Sequence, residues 1–458
     1  MKGMTKGSPL KNIVLFSIPL IIGNFFQLLY NMVDSFIVGR TLGVNALAGL
    51  GASGSLMFFI IGFSQGFTSG LAIPTAQAFG AEDYQKVKRS VIINWVSALS
   101  IGLILTLFSV YFLKDILILM NTPVEIIDYT YDYLKIIFGG MLMTILYNML
   151  SNLMRALGDS RTPLYFLVIA MLTNIVLDYV FIIYLHMGTF GAGFATIISQ
   201  GVAVVLLLWT IQRKWPLLQF DWKHFKVLRE ELFQHWKIGL PMAFQSSIIA
   251  IGSLSVTFAL NQLGPLAVAG FTASQKIDQV VNLILMSFGV AMATYVGQNY
   301  GAGKFDRIKQ GVRSVTFLTL GVAIIAGIVL AFFGGHVVTI FADGSSQADI
   351  FAYGQLYFRY MAPFYWLLSL LFIYRFTLQG LGDSLIPTVA GIMELIMRVI
   401  AAFVLSKYLG FIGIVLASPL AWIGAVVPLA YAYHKRKNLL DSQHEDQLIK
   451  AAKSGLNS

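Results

Sequence analysis

Long apolar runs, broken by short polar or Gly/Pro stretches, succeed one another along almost the whole chain. Runs of about 20 apolar residues are the length of bilayer-spanning helices. They predict twelve spans, the first six near Ile13–Gly39, Ala46–Ile73, Val91–Leu113, Thr130–Arg155, Pro163–Leu185 and Gly191–Ile211. The second six fall near Trp236–Leu260, Leu266–Tyr295, Val315–Phe333, Phe351–Gln379, Pro387–Leu405 and Phe411–Tyr433. Spans two and eight are rich in Gly and are candidates for internal breaks. Pro19 and Pro241 are candidate bend points, whereas Pro163 and Pro387 suit a first helical turn.

The pattern repeats. Leu157-Gly158-Asp159-Ser160 returns as Leu381-Gly382-Asp383-Ser384, 224 residues later. Pro19 pairs with Pro241, Ala46-Leu47-Ala48-Gly49 with Ala267-Val268-Ala269-Gly270, and Gln77…Gly80-Ala81 with Gln298…Gly301-Ala302. Gly191…Ala195-Thr196 pairs with Gly413…Ala417-Ser418, and the offset stays between 221 and 224 throughout. An even number of spans per copy gives both halves the same orientation, related by an axis along the membrane normal. The sequence therefore predicts an all-α polytopic membrane protein of two parallel six-helix repeats. Its expected parts are an N-lobe at 1–211, a cytoplasmic linker at 212–234, a C-lobe at 235–434 and a cytoplasmic tail at 435–458. Within the linker, Trp222–Phe233 is a candidate surface helix.

Composition agrees: 57% of the 458 residues are hydrophobic and 11% charged, too apolar for a soluble core. Cysteine is absent, which removes disulfides, thiolate metal sites and Cys nucleophiles. With both termini inside, 24 of the 31 Lys and Arg fall in cytoplasmic segments, five in external ones and two, Lys276 and Arg398, within spans. That bias is the positive-inside signature, so the net charge of +10 reads as topology rather than nucleic-acid binding. A cell-membrane location with cytoplasmic termini follows.

Polar residues inside the spans carry the candidate chemistry. Gln27, Tyr30, Asn31 and Asp34 share one stripe of span one. Thr144, Asn148, Ser151, Asn152 and Arg155 do the same in span four, Asn174 and Asp178 sit one turn apart in span five, and Thr196, Ser199 and Gln200 share a face of span six. These faces are expected to converge within the first half. A carboxylate at membrane depth is costly unless paired, protonated or coordinating a cation. No Lys or Arg lies in the middle of spans one to six to pair Asp34 and Asp178. The second half differs: Gln275, Lys276, Asp278, Gln279 and Asn282 lie in span eight, and Glu394 and Arg398 form an i, i+4 pair in span eleven. Lys276 has Asp278 or Glu394 as candidate partners, and these charges read as structural or gating locks.

Taken together, the twelve spans in two parallel halves, Tyr30-Asn31-Met32-Val33-Asp34-Ser35, Asn174-x-x-x-Asp178 and Thr196 resemble the multidrug and toxic compound extrusion (MATE) transporters. The match is to the bacterial branch whose cation site lies in the N-terminal lobe. The resemblance implies a V-shaped two-lobed fold and drug-for-cation antiport, with Asp34, Asn174, Asp178 and Thr196 as the cation site. It implies that Gln27, Tyr30, Tyr133, Asn148 and Ser151 line the same lobe's cavity; Asn31 and Gln200 join them from the polar stripes. Acids that another branch uses in helices seven and ten are missing here: Ala250–Leu260 has none, and span ten offers only Arg375. No cofactor is expected, and no metal beyond Na⁺ if that is the coupling ion. Two carboxylates brought together in a low-dielectric cavity favour a shared proton, and with Asn and Thr oxygens they also suit Na⁺, so the sequence leaves both ions open. The expected partners are lipophilic or cationic small molecules and membrane lipids, with the chain a monomer.

The alternative within the same superfamily is a lipid-linked oligosaccharide flippase, which calls for a basic cavity. An enzyme is not expected. Gly380-Leu381-Gly382-Asp383 and Tyr131-Asp132 spell the paired motifs of intramembrane aspartyl proteases, but the charge map places the two acids at opposite membrane faces.

Overall fold

A computed structural model describes residues 3–220, 229–341 and 347–455. The middle of the expected linker, 221–228, and the last residues of the tail lie outside it. Fourteen α-helices account for nearly all of the described chain. In the first half they are α1 (Pro9–Leu42), α2 (Val44–Gly80), α3 (Tyr84–Leu119), α4 (Val124–Gly139), α5 (Met141–Ala156), α6 (Arg161–Asp178) and α7 (Gly188–Lys214). The second half holds α8 (Arg229–Asn261), α9 (Pro265–Gly301), α10 (Phe305–Val338), α11 (Gln347–Met361), α12 (Tyr365–Gly380), α13 (Leu385–Leu409) and α14 (Phe411–Gly455).

Eleven spans among the described residues are long and apolar enough to cross a membrane, α11 and α12 counting as one; the pair α4 and α5, bent by 49°, makes up to twelve. The expected spans four and ten are thus each two helices. α4 gives way to α5 at Gly140, where an added Cβ would lie 2.5 Å from the Ile197 side chain. In the second half Ala362–Phe364 forms a 3₁₀ turn between α11 and α12. Pro363 stands 224 residues after Gly139, so both repeats break at the same place with different residues. The Gly-rich helices α2 and α9, by contrast, run unbroken. α1 and α8 also continue through Pro19 and Pro241.

The repeated turns owe their glycines to geometry. Gly43 and Gly264 take φ of 88° and 93°, and Gly158 and Gly382 take 95° and 86°, left-handed conformations that glycine adopts without strain. After Gly158, Asp159 accepts hydrogen bonds from the backbone N–H of Arg161 and Thr162, both at 3.0 Å, capping α6. After Gly382, Asp383 pairs with Arg436 at 3.3 Å.

The chain forms two compact units, Ile18–Ser247 and Ile248–Ser458, the second including the residues up to Ser17. α1 and α8 each run through this division. In the first unit the start of α8 is fixed to α3: Arg89 pairs with Glu231 at 2.9 Å, and His235 Nε2 lies 2.7 Å from Ser90 Oγ. Gly239 meets Gly70 of α2 at backbone distance, a Cβ on Gly70 falling 2.6 Å from its Cα. In the second unit the N-terminal segment is fastened to α9 and α10, through Met4 N donating to Gln298 Oε1 at 2.7 Å and Arg307 donating to Gly7 O at 2.8 Å.

Candidate functional site

The polar stripes of α1, α5, α6 and α7 meet inside the first unit. Asp34 is buried on α1 and Asp178, fully buried, closes α6. Their carboxyl groups lie within hydrogen-bonding reach of each other. The Asn174 amide is oriented by its neighbours: Nδ2 donates to Asp178 Oδ2 at 2.9 Å, and Oδ1 accepts from Tyr30 OH and from the backbone N–H of Thr196, both at 3.2 Å. The Tyr30 hydroxyl also donates toward Thr196 Oγ1 at 3.0 Å, so one proton is shared between two acceptors. Thr196 Oγ1 itself donates to Ala192 O at 3.1 Å. Asp34, Asn174, Asp178 and Thr196 are therefore in one cluster, with Tyr30 as its bridge.

Two oxygens of this cluster, Asp34 Oδ1 and Asp178 Oδ1, are buried without a hydrogen-bond partner. Buried carboxylate oxygens left unpaired are strongly unfavourable. A proton between the two acids, or a small cation on their oxygens with Asn174 and Thr196, relieves that cost. Among the described residues no group of three or more His, Cys, Asp and Glu gathers as a metal site.

Beside the cluster lies a cavity of about 770 Å³, the size of a small-molecule site. Asp34 and Thr196 form part of its wall, as do Gln27, Tyr30, Asn31, Tyr133, Asn148 and Gln200. Asn174 and Asp178 stand behind that wall rather than in it. Ser151 also sits off the wall, buried with Oγ unpartnered. Thr144 donates to Gln200, tying α5 to α7. Phe26, Met57, Phe58, Tyr147 and Met171 supply apolar and aromatic surface, suited to a lipophilic cation.

One feature had no signal in the hydrophobic pattern. Immediately after Asp178, residues Tyr179–Tyr184 turn as π-helix, whereas α13, its counterpart, remains α-helical to Leu409. π segments concentrate at functional sites because they re-aim side chains within a helix. Arg155, which the sequence puts on the polar stripe of span four, lines the cavity.

Among the described residues of the second unit, the buried acids are engaged differently. Glu394 receives two guanidinium groups, from Arg398 at 2.7 Å and from Arg375 at 2.8 Å. Arg375, counted by the charge map among cytoplasmic residues, is in fact buried in α12. Asp278 accepts from Tyr365 OH at 2.7 Å and from Asn282 at 3.0 Å, while Lys276 lines a separate small cavity with Asn261 and Thr272.

Comparison with known proteins shows the family. The MatE family model matches residues 19–180 and 241–404, once in each half. A probable multidrug resistance protein of Bacillus subtilis (strain 168), YpnP, is 30% identical over 415 residues, spanning 90% of this chain and 91% of that protein. The multidrug export protein MepA of Staphylococcus haemolyticus (strain JCSC1435) is 24% identical over 411 residues, 90% of each. A crystal structure of MATE in complex with MaL6 superposes with a TM-score of 0.90 at 22% identity, covering 96% of this chain and all of that one. The repeat, the all-helical membrane fold and these matches together place the chain in the MATE family, as a transporter and not an enzyme.

Proposed function

We propose that this chain is a secondary active antiporter of the cell membrane, with both termini cytoplasmic, that exports lipophilic and often cationic compounds in exchange for inward H⁺ or Na⁺. Asp34, Asn174, Asp178 and Thr196 are the exchange site, and the adjoining cavity holds the drug. The observation that carries this reading is an acid on the wall of a drug-sized cavity, backed by a second acid, with an unpartnered buried oxygen on each. The names of the relatives, multidrug resistance and multidrug export proteins, support the substrate class.

The coupling follows from electrostatics. An ion entering from outside neutralises the pair and weakens the cavity's hold on a cationic substrate. Its release to the cytoplasm restores the negative charge and draws in the next substrate. Each ligand thus lowers the other's affinity, the differential binding that antiport requires. Proteoliposomes with Na⁺ and pH gradients imposed separately test it: dye efflux driven by one gradient is expected, and efflux indifferent to both would overturn the reading.

A further inference from the structure

We propose that Arg155 is an anion subsite on the wall of the same cavity, and that the cavity accepts zwitterions whose cationic end meets Asp34 and whose carboxylate meets Arg155. The inference rests on the export reading above and deepens it.

Arg155 lines the cavity from the last turn of α5. Its hydrogen bond within the protein runs from Nη1 to Asn152 Oδ1, at 3.3 Å, and its buried Nε has no partner. Asn152 is held with that oxygen toward Arg155 because its amide donates to Thr68 Oγ1 and Ser69 Oγ, at 3.3 and 3.2 Å. The neighbouring acid in sequence, Asp159, is committed to capping α6. Among the described residues no carboxylate pairs with Arg155. The contrast is with Arg375 and Arg398, which both find Glu394.

A cation left unpaired at a cavity wall is stabilised best by an anion that enters the cavity. Snorkelling to lipid headgroups would account for an arginine at a helix end, but this one faces inward, with its Nε shielded. The two charges line the one cavity from different helices, α1 and α5. Ser160, Pro163 and Leu164 follow Arg155 along the same wall, and a Cβ added at Gly23 would lie 3.4 Å from the Leu164 side chain. From Gly23 to Asp34 the rise along α1 is about 16 Å; the reach of the two side chains shortens that gap to the span of a drug-sized zwitterion. A single guanidinium facing a carboxylate pair balances one carboxylate on the ligand. A diphosphate would bring more negative charge than this wall neutralises.

Purified full-length protein in nanodiscs, titrated with a rhodamine free acid (a zwitterion) and its methyl ester (a monocation), tests this. The acid-to-ester affinity ratio is expected to fall about tenfold in Arg155→Gln, the loss of a charge-assisted bond, and to recover in part in Arg155→Lys. An unchanged ratio, or equal weakening of both dyes, would overturn the subsite. Should Arg155→Gln not fold, wild-type protein decides: benzoate is expected to displace the acid and spare the ester, and equal displacement sinks the proposal. Binding of the ester with a ratio insensitive to Arg155 removes the subsite alone; failure to bind either dye removes the export reading with it.

Discussion

Tyr30 shows how one hydroxyl joins two helices of the site. It donates toward Thr196 on α7 and toward Asn174 on α6, so it fixes the Asn174 amide that in turn donates to Asp178. Tyr30→Phe keeps the ring in the cavity wall and removes that bridge. The expected cost is about 1 kcal/mol in cation affinity, read as a several-fold higher Na⁺ or H⁺ concentration needed to displace bound dye. An unaltered ion dependence would show that Asn174 and Thr196 are positioned without it. Glu394 is the opposite case, an acid already satisfied twice. Leaving two buried guanidinium groups without it should cost about 3–5 kcal/mol. Glu394→Gln is therefore expected to lower the folded yield, and the triple change with Arg375→Met and Arg398→Met to restore part of it. Normal folding of Glu394→Gln with loss of ion-coupled export would instead assign the cluster to coupling.

At the scale of helices, the breaks in spans four and ten test whether the repeat preserves shape through different chemistry. Gly140 lies against Ile197 so closely that a methyl group cannot enter without displacing it. Gly140→Ala should destabilise the first unit by about 1–3 kcal/mol, and Ile197→Ala in the same chain should offset part of that; thermal unfolding in detergent measures both. Much of this level was legible in the sequence. Period and length marked the spans, and the i, i+3, i+4, i+7 spacing of Gln27, Tyr30, Asn31 and Asp34 placed them on the face that meets Asn174 and Asp178. The breaks at Gly140 and Pro363 were not legible, because a hydrophobic run of two short helices has the same composition as one long helix. The π segment after Asp178 escaped for a similar reason, its residues being as apolar as any lipid-facing turn. Arg155 was legible as part of the polar stripe of span four, whereas Arg375 was visible only as a residue, because whether an arginine near a helix end turns to the headgroups or inward depends on neighbours distant in sequence.

For the whole molecule, the charge map and the antiport mechanism make separate claims. Because the native chain has no Cys, single cysteines introduced at Lys6, Lys114 and Asn438 report orientation through an impermeant thiol reagent on intact cells. Labelling at Lys114 alone is expected, and labelling at Lys6 or Asn438 would reverse the topology. The mechanism predicts that wild-type binding of a cationic dye weakens as pH falls or as Na⁺ rises, since the ion and the dye compete for the same negative charge. The most direct test is gradient-driven dye efflux from proteoliposomes by the double variant Asp34→Asn/Asp178→Asn, which removes both charges and adds little volume. Normal membrane insertion is expected, with no efflux above the leak under either a Na⁺ or a pH gradient and dye binding that no longer responds to either ion. Undiminished gradient-driven efflux in that variant would contradict the mechanism.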